Sequence, residues 1–291
     1  MSDRLGAMLG SGPASVRRFV WRLGRRLYTS ARREQISLEI EGDGEGYLQS
    51  CVVRATDPGS PLTILDIGAN QGDWTRHLLA NLPPDRKTSS RLKVILFEPV
   101  PSTRARLAST IAAHDPGGVC AIHPIAMSDV KGTFEMAIMS DTGGTNSLHF
   151  DNSAAAPPGG WISIQTDTLS GFFAEQGIDH AHLVKCDTEG HDLKVMQGAR
   201  DLLAQKRIDV FQFEYNHRWV FSHSFLKDVF DLIDGLPYRL GRLMPDGVEY
   251  FSRWHPELDR FFQSNYVLVS ERAMAWLDSH TGTFDDSNTY A

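Results

Sequence analysis

Carboxylate residues stand at the ends of two strand-like apolar runs in this 291-residue chain. Asp66 belongs to TILDIGANQGDW, where a glycine-containing turn follows the run, and Glu98 ends the next run, KVILFEP. Gly68 and Gly72 allow the backbone of this turn to bend tightly and to approach a ligand closely. A carboxylate after a strand can accept hydrogen bonds from two ribose hydroxyls. Two acids so placed suit a ligand that joins a cationic amino acid to a ribose, and S-adenosylmethionine is such a ligand.

The same turn differs from two other nucleotide-binding motifs. Asn70 and Asp73 stand where a dinucleotide fingerprint needs its second and third glycines, and the lysine of a P-loop does not follow. A structural turn without a ligand is the alternative, because a pair of glycines is a weak signal. Glu98 at the end of the next run favours the ligand over that alternative.

A second group of polar residues occurs in two later apolar runs, HLVKCDTEGHD and IDVFQFEYN. Side chains alternate between the two faces of a strand, so Lys185 shares a face with Asp187. The same rule puts Gln212, Glu214 and Asn216 on one face. Polar groups inside buried parallel strands are costly unless they are paired. If these strands are neighbours, Lys185 would neutralise Glu214 within the sheet, and Asp187 would face a cleft.

These residue types suit the transfer of a methyl group from a sulfonium to a hydroxyl. That displacement needs an in-line approach, and the hydroxyl must lose its proton. Asp187 or His191 would act as the general base, with Glu189 as a third catalytic candidate in the same loop. Alternatively, Mg²⁺ bound by oxygen atoms of Asp187, Glu214 and Asn216 would lower the pKa of the hydroxyl. The sequence leaves both mechanisms open.

Candidate residues for contact with the acceptor lie at two places. Those at the end of the later run are Tyr215, Asn216, His217 and Arg218. Aromatic and planar cationic side chains can stack on sugar rings, although ordinary packing is the alternative. The second place is the polar loop formed by Gly143, Gly144, Thr145, Asn146 and Ser147. This loop would either close over the acceptor or form a simple hairpin turn.

Short apolar runs and helix-like segments alternate along the chain, and this order must position the polar residues. Strands are predicted over 63–67, 93–97, 119–125, 182–186 and 208–213, and helices over 74–81, 102–113 and 192–205. Such alternation predicts an open, mostly parallel sheet with helices on both faces and ligands at the carboxyl ends of its strands. Segments 238–251 and 265–270 would close the sheet. An insertion around 132–168 would shape the substrate pocket.

The composition fits a globular protein with a single main domain, since 41% of its residues are hydrophobic and 22% are charged. We expect an N-terminal arm over 1–40, a catalytic domain over 41–278 and a polar, frayed tail over 279–291. Cys51, Cys120 and Cys186 form no CxxC pair, which argues against a disulfide framework or a cysteine zinc site. A cytoplasmic location is the expectation.

The net charge of −7 is unevenly distributed. Residues 1–34 hold eight arginines against two acids, a net charge of +6, which leaves −13 for the rest. The acidic body argues against a nucleic-acid partner. Apolar residues recur at helical spacing in the arm: Val16, Phe19, Val20, Leu23 and Leu27. This amphipathic helix would pack on the core or on a second subunit, or it would contact an anionic partner, which is a membrane surface or a polymer.

An ordered series of motifs resembles one known family. LDIGANQGDWT, LFEPVPSTRARL, HPIAMSD, TDTLSGFF, VKCDTEGHDLKVMQGA and QFEYN look like the FkbM family of S-adenosylmethionine-dependent methyltransferases, from about residue 63 to residue 216. The resemblance implies a Rossmann-like class I fold with a seven-stranded sheet. It implies cofactor contacts from Asp66, Gly68, Asn70 and Gly72 to the methionine part, from Glu98 and Pro99 near the ribose, and from Ala126, Met127 and Ser128 along the adenine.

The sequence therefore predicts an O-methyltransferase that acts on a hydroxyl of a sugar, glycan or glycolipid. The alternatives are a polyketide or other natural-product hydroxyl, and a non-catalytic cofactor-binding protein of the same fold. Expected partners are a carbohydrate or other hydroxylated acceptor and, through the arm, a membrane surface or a second copy in a homodimer. The expected cofactors are S-adenosylmethionine and, in one of the two mechanisms, Mg²⁺.

Overall fold

A computed structural model describes residues 6–7, 9–34, 39–40, 42–88, 90–140, 146–149, 156–285 and 289–290. Its strands are β1 (Leu62–Ile67), β2 (Leu92–Phe97), β3 (Cys120–His123), β4 (Ala126–Met127), β5 (Gly132–Ala137), β6 (Trp161–Asp167), β7 (Ala181–Cys186), β8 (Ile208–Tyr215), β9 (Tyr238–Met244), β10 (Gly247–Phe251), β11 (Ser264–Ser270) and β12 (Ser279–Gly282). Its helices are α1 (Ala14–Ala31), α2 (Glu45–Ala55), α3 (Asp73–Asn81), α4 (Pro101–His114), α5 (Leu169–Gln176), α6 (Asp192–Gly198), α7 (Arg200–Ala204) and α8 (Leu226–Ile233).

The main sheet has nine strands in the order β12-β10-β9-β11-β8-β7-β1-β2-β3. The five strands from β3 to β8 are parallel, whereas β11 runs antiparallel to both of its neighbours, β8 and β9. The seven strands from β3 to β9 supply the predicted sheet. The two extra strands are β10 and β12. The segment 238–251 makes two of the nine strands because it turns back at Pro245 and Asp246 to form the β9–β10 hairpin.

Both faces of the parallel strands are buried, which explains why their sequences are continuously apolar. In β1, Leu65 and Ile67 contribute to one core cluster, while Leu62 and Ile64 contribute to the other. α5, α6, α7 and α8 supply side chains to the first cluster, and α2, α3 and α4 supply side chains to the second. The predicted sheet with helices on both faces is confirmed.

The segment between β3 and β7 forms a second, three-stranded sheet in the order β4-β6-β5. The predicted strand over 119–125 is shorter than expected, because β3 ends at His123 and the chain then enters the small sheet as β4. The predicted helix over 192–205 is divided between α6 and α7. Near this division an added Cβ on Gly198 would lie 2.0 Å from the Ser128 carbonyl oxygen, so the chain there passes very close to the end of β4.

The C-terminal segment is more ordered than the sequence indicated. Residues 279–291 were expected to fray because they are polar, but β12 pairs in parallel with β10. The side chains of this strand are mostly exposed, so its sequence carries no apolar pattern that would reveal it. Among the described residues no helix is both long enough and apolar enough to cross a membrane.

Candidate active site

A cavity opens to solvent at the carboxyl ends of β1, β2 and β7, and its empty space of about 640 Å³ includes this open mouth. Its lining residues are Ile67, Gly68, Asn70, Phe97, Glu98, Pro99, Val100, Ala126, Met127, Met136, Asn146, Leu148, Asp187, Thr188, Glu189 and His191. Parallel α/β sheets bind ligands at this edge. The cavity is therefore the candidate active site.

The turn after β1 is built against the turn after β7. Gly68 has a φ of +77°, and an added Cβ would lie 2.0 Å from the Asp187 carbonyl oxygen. Only glycine allows both the left-handed backbone and this close approach. The Gly68 and Ala69 amides donate hydrogen bonds to the Phe97 carbonyl at 3.1 and 3.0 Å. Three strand ends are thus fixed together around the cavity.

Glu98 lies at the position predicted for a ribose acceptor. Its side chain oxygens accept hydrogen bonds from the amides of Asn70 at 3.2 Å and Val100 at 2.8 Å. Burial raises the pKa of Glu98 to about 7, although those two amides and the nearby Arg104 favour its charged form. Each carboxylate oxygen can accept a second hydrogen bond, so the group retains capacity for ligand hydroxyls.

Lys185 does not form the predicted pair with Glu214. It lies beside Asp66 in the register between β7 and β1, and its Nζ is 3.6 Å from Asp66 Oδ1 and 3.4 Å from Asp187 Oδ2. Burial lowers the pKa of Lys185, but Asp187, Asp66 and Glu45 outweigh that effect and raise it. Lys185 is therefore a buried cation shared by carboxylates of several elements. The prediction was wrong because β7 lies between β8 and β1, and it considered only β8.

Asp66 is also placed differently from the sequence expectation. Its side chain is fully buried and accepts a hydrogen bond from Thr75 Oγ1 at 2.6 Å. Burial raises the pKa of Asp66, while Lys185 and Thr75 act in the opposite direction. Asp66 thus holds Lys185 behind the cavity and does not line it. Gly72 does not line the cavity either. It precedes α3 and has a φ of +89°.

Asp187 is more exposed than Glu189, the other carboxylate of the loop after β7 that lines the cavity. Its side chain is 37% exposed. Its backbone amide donates to the Ile67 carbonyl at 3.0 Å, which fixes the start of the loop after β7. The buried Lys185 contacts it from behind. A carboxylate with one face toward a cation and the other toward a cavity can accept a proton from a bound hydroxyl.

His191 lines the cavity, but both of its ring nitrogens already have partners. Nε2 is 2.9 Å from Ser128 Oγ, and Nδ1 is 2.8 Å from His149 Nε2. Ser128 Oγ donates to Asp129 at 3.1 Å, so His191 Nε2 carries the proton of their hydrogen bond. Burial, with His149 as a second cause, lowers the pKa of His191 to about 3. Ser128 therefore holds the His191 ring by this hydrogen bond. It does not itself line the cavity.

Glu189 occupies a left-handed backbone position with a φ of +56°. Its Oε2 lies 2.7 Å from Arg218 Nε. Burial and the neighbouring Asp187 raise the pKa of Glu189 to about 8, against the effect of Arg218. An unusual backbone in a loop that lines a cavity is a common feature of functional sites.

The structure does not bring the predicted residues after β8 into the cavity. Tyr215 is 1% exposed, and its hydroxyl donates to Asp259 Oδ1 at 2.8 Å. His217 is exposed at the surface, and Arg218 is engaged with Glu189. None of the four candidates from Tyr215 to Arg218 lines the cavity. Tyr215 was misplaced because strand alternation points it into the aromatic core.

The predicted magnesium ligands are not arranged as a set of oxygen donors. Asn216 directs its amide nitrogen to Glu214 Oε2 at 2.7 Å, and its Oδ1 accepts from the Arg218 amide at 2.8 Å. Glu214 also accepts a hydrogen bond from Gln263 Nε2 at 2.6 Å. A hard cation needs several oxygen atoms that point to one place. These contacts do not fit Mg²⁺.

The segment before β6 contributes residues that the sequence only partly indicated. Asn146 accepts from the Met139 amide at 2.8 Å, while its Nδ2 is buried with no hydrogen-bond partner among the described residues. Met136, Leu148 and His149 were not predicted, because an irregular insertion gives no periodic signal for cavity contacts. Gly143, Gly144 and Thr145 of the predicted loop lie outside the described residues, whereas Ser147 Oγ donates to the Glu189 carbonyl at 2.9 Å.

A family model described as the Methyltransferase FkbM domain matches residues 66–240. The chain belongs to the FkbM methyltransferase family. The order of its sheet strands from β3 to β9 agrees with the class I methyltransferase fold that the motifs implied. Both the family and the fold class predicted from the sequence are confirmed.

One curated relative and two solved structures are similar to this chain. The relative is the 2-O-methyltransferase NoeI of Sinorhizobium fredii (strain NBRC 101917 / NGR234), 24% identical over 198 residues, which are 64% of this chain and 76% of NoeI. The FkbM methyltransferase of Methylobacillus flagellatus KT has a TM-score of 0.45 at 15% identity over 71% of this chain. This chain spans 43% of that protein's length. The precorrin-6y C5,15-methyltransferase of Geobacter metallireducens GS-15 has a TM-score of 0.38 at 10% identity, over 77% of this chain and 89% of that chain.

FkbM family membership implies the use of S-adenosylmethionine, and the cavity fits this cofactor. Asn70 Oδ1 is a buried acceptor with no partner among the described residues, and Asn70 lines the cavity. An acceptor at this point suits the ammonium of the methionine part. Glu98 also lines the cavity, and its carboxylate can accept further hydrogen bonds from ligand hydroxyls. Pro99, Ala126 and Met127 also line the cavity, as expected of residues beside the nucleoside.

Proposed function

We propose that this FkbM methyltransferase transfers the methyl group of S-adenosylmethionine to a hydroxyl of a sugar, in a glycan or glycolipid. The observation that carries the proposal is the exposed carboxylate of Asp187 within the cofactor cavity, because a hydroxyl acceptor needs a base. NoeI, the curated relative, is described as a 2-O-methyltransferase, which agrees with oxygen as the methylated atom. An acceptor rich in hydroxyls suits the Asn146 side-chain nitrogen, Nδ2, which has no partner among the described residues.

S-adenosylmethionine, when bound, supplies an electrophilic methyl group and leaves as a neutral thioether. Asp187 would accept the proton of the attacking hydroxyl while the new oxygen–carbon bond forms and the carbon–sulfur bond breaks. Lys185, whose Nζ lies 3.4 Å from Asp187 Oδ2, would hold the Asp187 side chain in place. Asn146 would donate a hydrogen bond to a neighbouring oxygen of the acceptor, which helps to align the hydroxyl.

His191 supports Asp187 as the base by exclusion. A histidine with a pKa near 3 and both ring nitrogens engaged takes up a proton poorly at neutral pH. Its contacts with Ser128 and His149 instead suit a role in holding the cavity wall. We therefore assign His191 a positioning role and Asp187 the proton transfer.

The proposal predicts a strong effect of Asp187→Asn, which preserves size but removes the base. We expect transfer of a labelled methyl group to fall about 100-fold to 10,000-fold. Binding of S-adenosylmethionine, measured by calorimetry, should change little. Asp201→Asn on the exposed surface of α7 is the matched control and should retain full activity.

The assay should use a panel of sugars, glycolipids and polyketide alcohols, with and without a chelator. Transfer to sugar hydroxyls that survives chelation and is lost in Asp187→Asn is the expected result. Transfer restricted to non-sugar alcohols would overturn the sugar assignment. Full activity of Asp187→Asn would overturn the assignment of the base, and cofactor binding without any turnover would favour a non-catalytic protein.

A further inference from the structure

Helix α1 turns its apolar side away from the body of the protein. The Tyr28 hydroxyl donates to Glu257 Oε2 at 2.7 Å, and the Tyr28 ring lies 5.7 Å from the ring of Phe262. Arg25 lies over the same Phe262 ring at 5.5 Å. These contacts fix the side of α1 that faces the body. At helical spacing, most of the apolar residues project from the other side, whereas Trp21 lies on the side of Arg25 and contacts it.

We call this other side the apolar stripe; it consists of Val16, Phe19, Val20, Leu23 and Leu27. Phe19 and Leu27 are 67% and 63% exposed, and α1 has no buried residue. The apolar stripe therefore does not pack on the core, which was one of the three sequence-based alternatives. Large apolar side chains exposed along one helix face indicate a binding surface.

The charges of α1 identify the chemistry of the partner. The helix contains five arginines and no acidic residue: Arg17, Arg18, Arg22, Arg25 and Arg26. At helical spacing, Arg17 and Arg26 flank the apolar stripe on its two sides. Arginines beside an apolar face can place their aliphatic stems along the face and their guanidinium groups among phosphates.

We propose that the apolar stripe of α1 binds an anionic lipid surface, with the flanking arginines on lipid phosphates. A second copy of the chain is less suitable. Two apolar stripes in contact would bring together two sets of five arginines with no acid on either helix.

The attachment point of α1 gives lipid binding a consequence for the active site. The segment 255–263 that holds Tyr28 leads into β11, whose first residue pairs with the last residue of β8. This is the carboxyl edge of the sheet, where the cavity opens. A lipid surface bound by α1 would therefore lie near the edge at which an acceptor enters. This consequence rests on the proposed function, whereas lipid binding itself does not.

Vesicle flotation of the full-length chain tests the proposal. We expect binding to vesicles of equal parts phosphatidylcholine and phosphatidylglycerol, little binding to phosphatidylcholine alone, and weaker binding at high salt. The double variant Phe19→Gln, Leu23→Gln should bind the anionic vesicles about tenfold more weakly. The matched control Ala14→Gln, Ser15→Gln changes exposed residues outside the apolar stripe and should bind normally. Thermal unfolding checks that each variant is folded.

Three results would overturn the proposal. The first is failure of the wild-type chain to bind anionic vesicles. The second is equal vesicle binding by the stripe variant and its control, which would show that the arginines act without the apolar side chains. The third is a dimer in solution that the stripe variant converts to a monomer, which would assign the apolar stripe to a second copy. A loss of sugar methylation with intact vesicle binding would instead affect only the proposed function.

Discussion

At the residue scale, the cavity combines groups whose protonation is set by burial. Burial raises the pKa of Glu189 to about 8, against its ion pair with Arg218, and lowers the pKa of His191 to about 3. Asp187 lies in the same loop, is 37% exposed and contacts Lys185. This partly exposed carboxylate, beside two more deeply buried groups, is the accessible candidate for proton transfer.

The buried state of His191 predicts a pH dependence of stability. In the unfolded chain His191 has its ordinary pKa of 6.5 and binds a proton as the pH falls below that value, whereas in the folded protein it stays neutral down to about pH 3. The free energy of unfolding that His191 contributes is therefore complete above pH 6.5 and is lost as the pH falls. At pH 5 the loss is about 2 kcal/mol.

Urea unfolding of the wild type and of His191→Gln at pH 7.5 and pH 5 measures this effect. Groups with a raised pKa, such as Glu45 and Glu189, change in the opposite sense, but they are common to both proteins and cancel in the difference. The advantage of the wild type should shrink by about 2 kcal/mol on acidification. An unchanged difference would mean that His191 titrates normally in the folded protein.

At the element scale, the sequence predicted the parallel strands and the edge of the sheet at which the cavity lies. β1, β2 and β7 begin and end within a residue of the predicted ranges, because their apolar runs end abruptly at polar residues. The turn after β1 and Asp187, which line the cavity, could be singled out in the sequence for the same reason. The predicted pairing of Lys185 with Glu214 was wrong. Alternation along a strand shows which face of the sheet a side chain takes, but it does not show that β1 lies beside β7.

Irregular and exposed elements account for the remaining differences. The sheet of β4, β5 and β6 has short or half-exposed strands, so its apolar pattern is weak. Asn146 and Leu148 line the cavity because this insertion folds back over it, and no local sequence pattern predicts that path of the chain. Sequence periodicity reports burial within an element and not the path between elements.

Lys185 lies where β1, β7 and α2 meet, and we expect Lys185→Met to lower the free energy of unfolding strongly. This change leaves Asp66 and Glu45, both buried, without the cation that neutralises them. We expect a loss of about 3 to 5 kcal/mol in the free energy of unfolding. Lys194→Met is the matched control, because its ion pair with Asp129 is partly exposed and should cost no more than about 1 kcal/mol.

A second variant separates this explanation from a general packing defect. Adding Asp66→Asn to Lys185→Met removes one of the stranded carboxylates and should restore part of the lost stability. Chemical unfolding of the single and double variants gives the interaction energy. If the two changes simply added, Lys185 would not act through Asp66.

At the scale of the whole molecule, the two ends of the described chain meet beside the sheet. Arg32, which follows α1, lies over the rings of Phe284 and Tyr290 at 4.7 and 5.0 Å. Phe284 also stacks on the His255 ring at 4.2 Å, and His255 begins the segment that anchors α1. The basic arm and the C-terminal residues therefore form one assembly on the acidic body, although the family match includes neither.

Stepwise truncation of the C-terminal segment distinguishes two contributions to stability. Removal of residues 283–291 takes away the aromatic contacts of Arg32 and His255, and we expect a loss of about 2 kcal/mol from buried aromatic surface. Removal of residues 279–291 also takes away β12. This exposes the backbone edge of β10, so a further fall in the melting temperature and a tendency to aggregate should follow. Thermal unfolding with light scattering measures both, and equal behaviour of the two truncations would show that β12 neither stabilises nor protects the sheet edge.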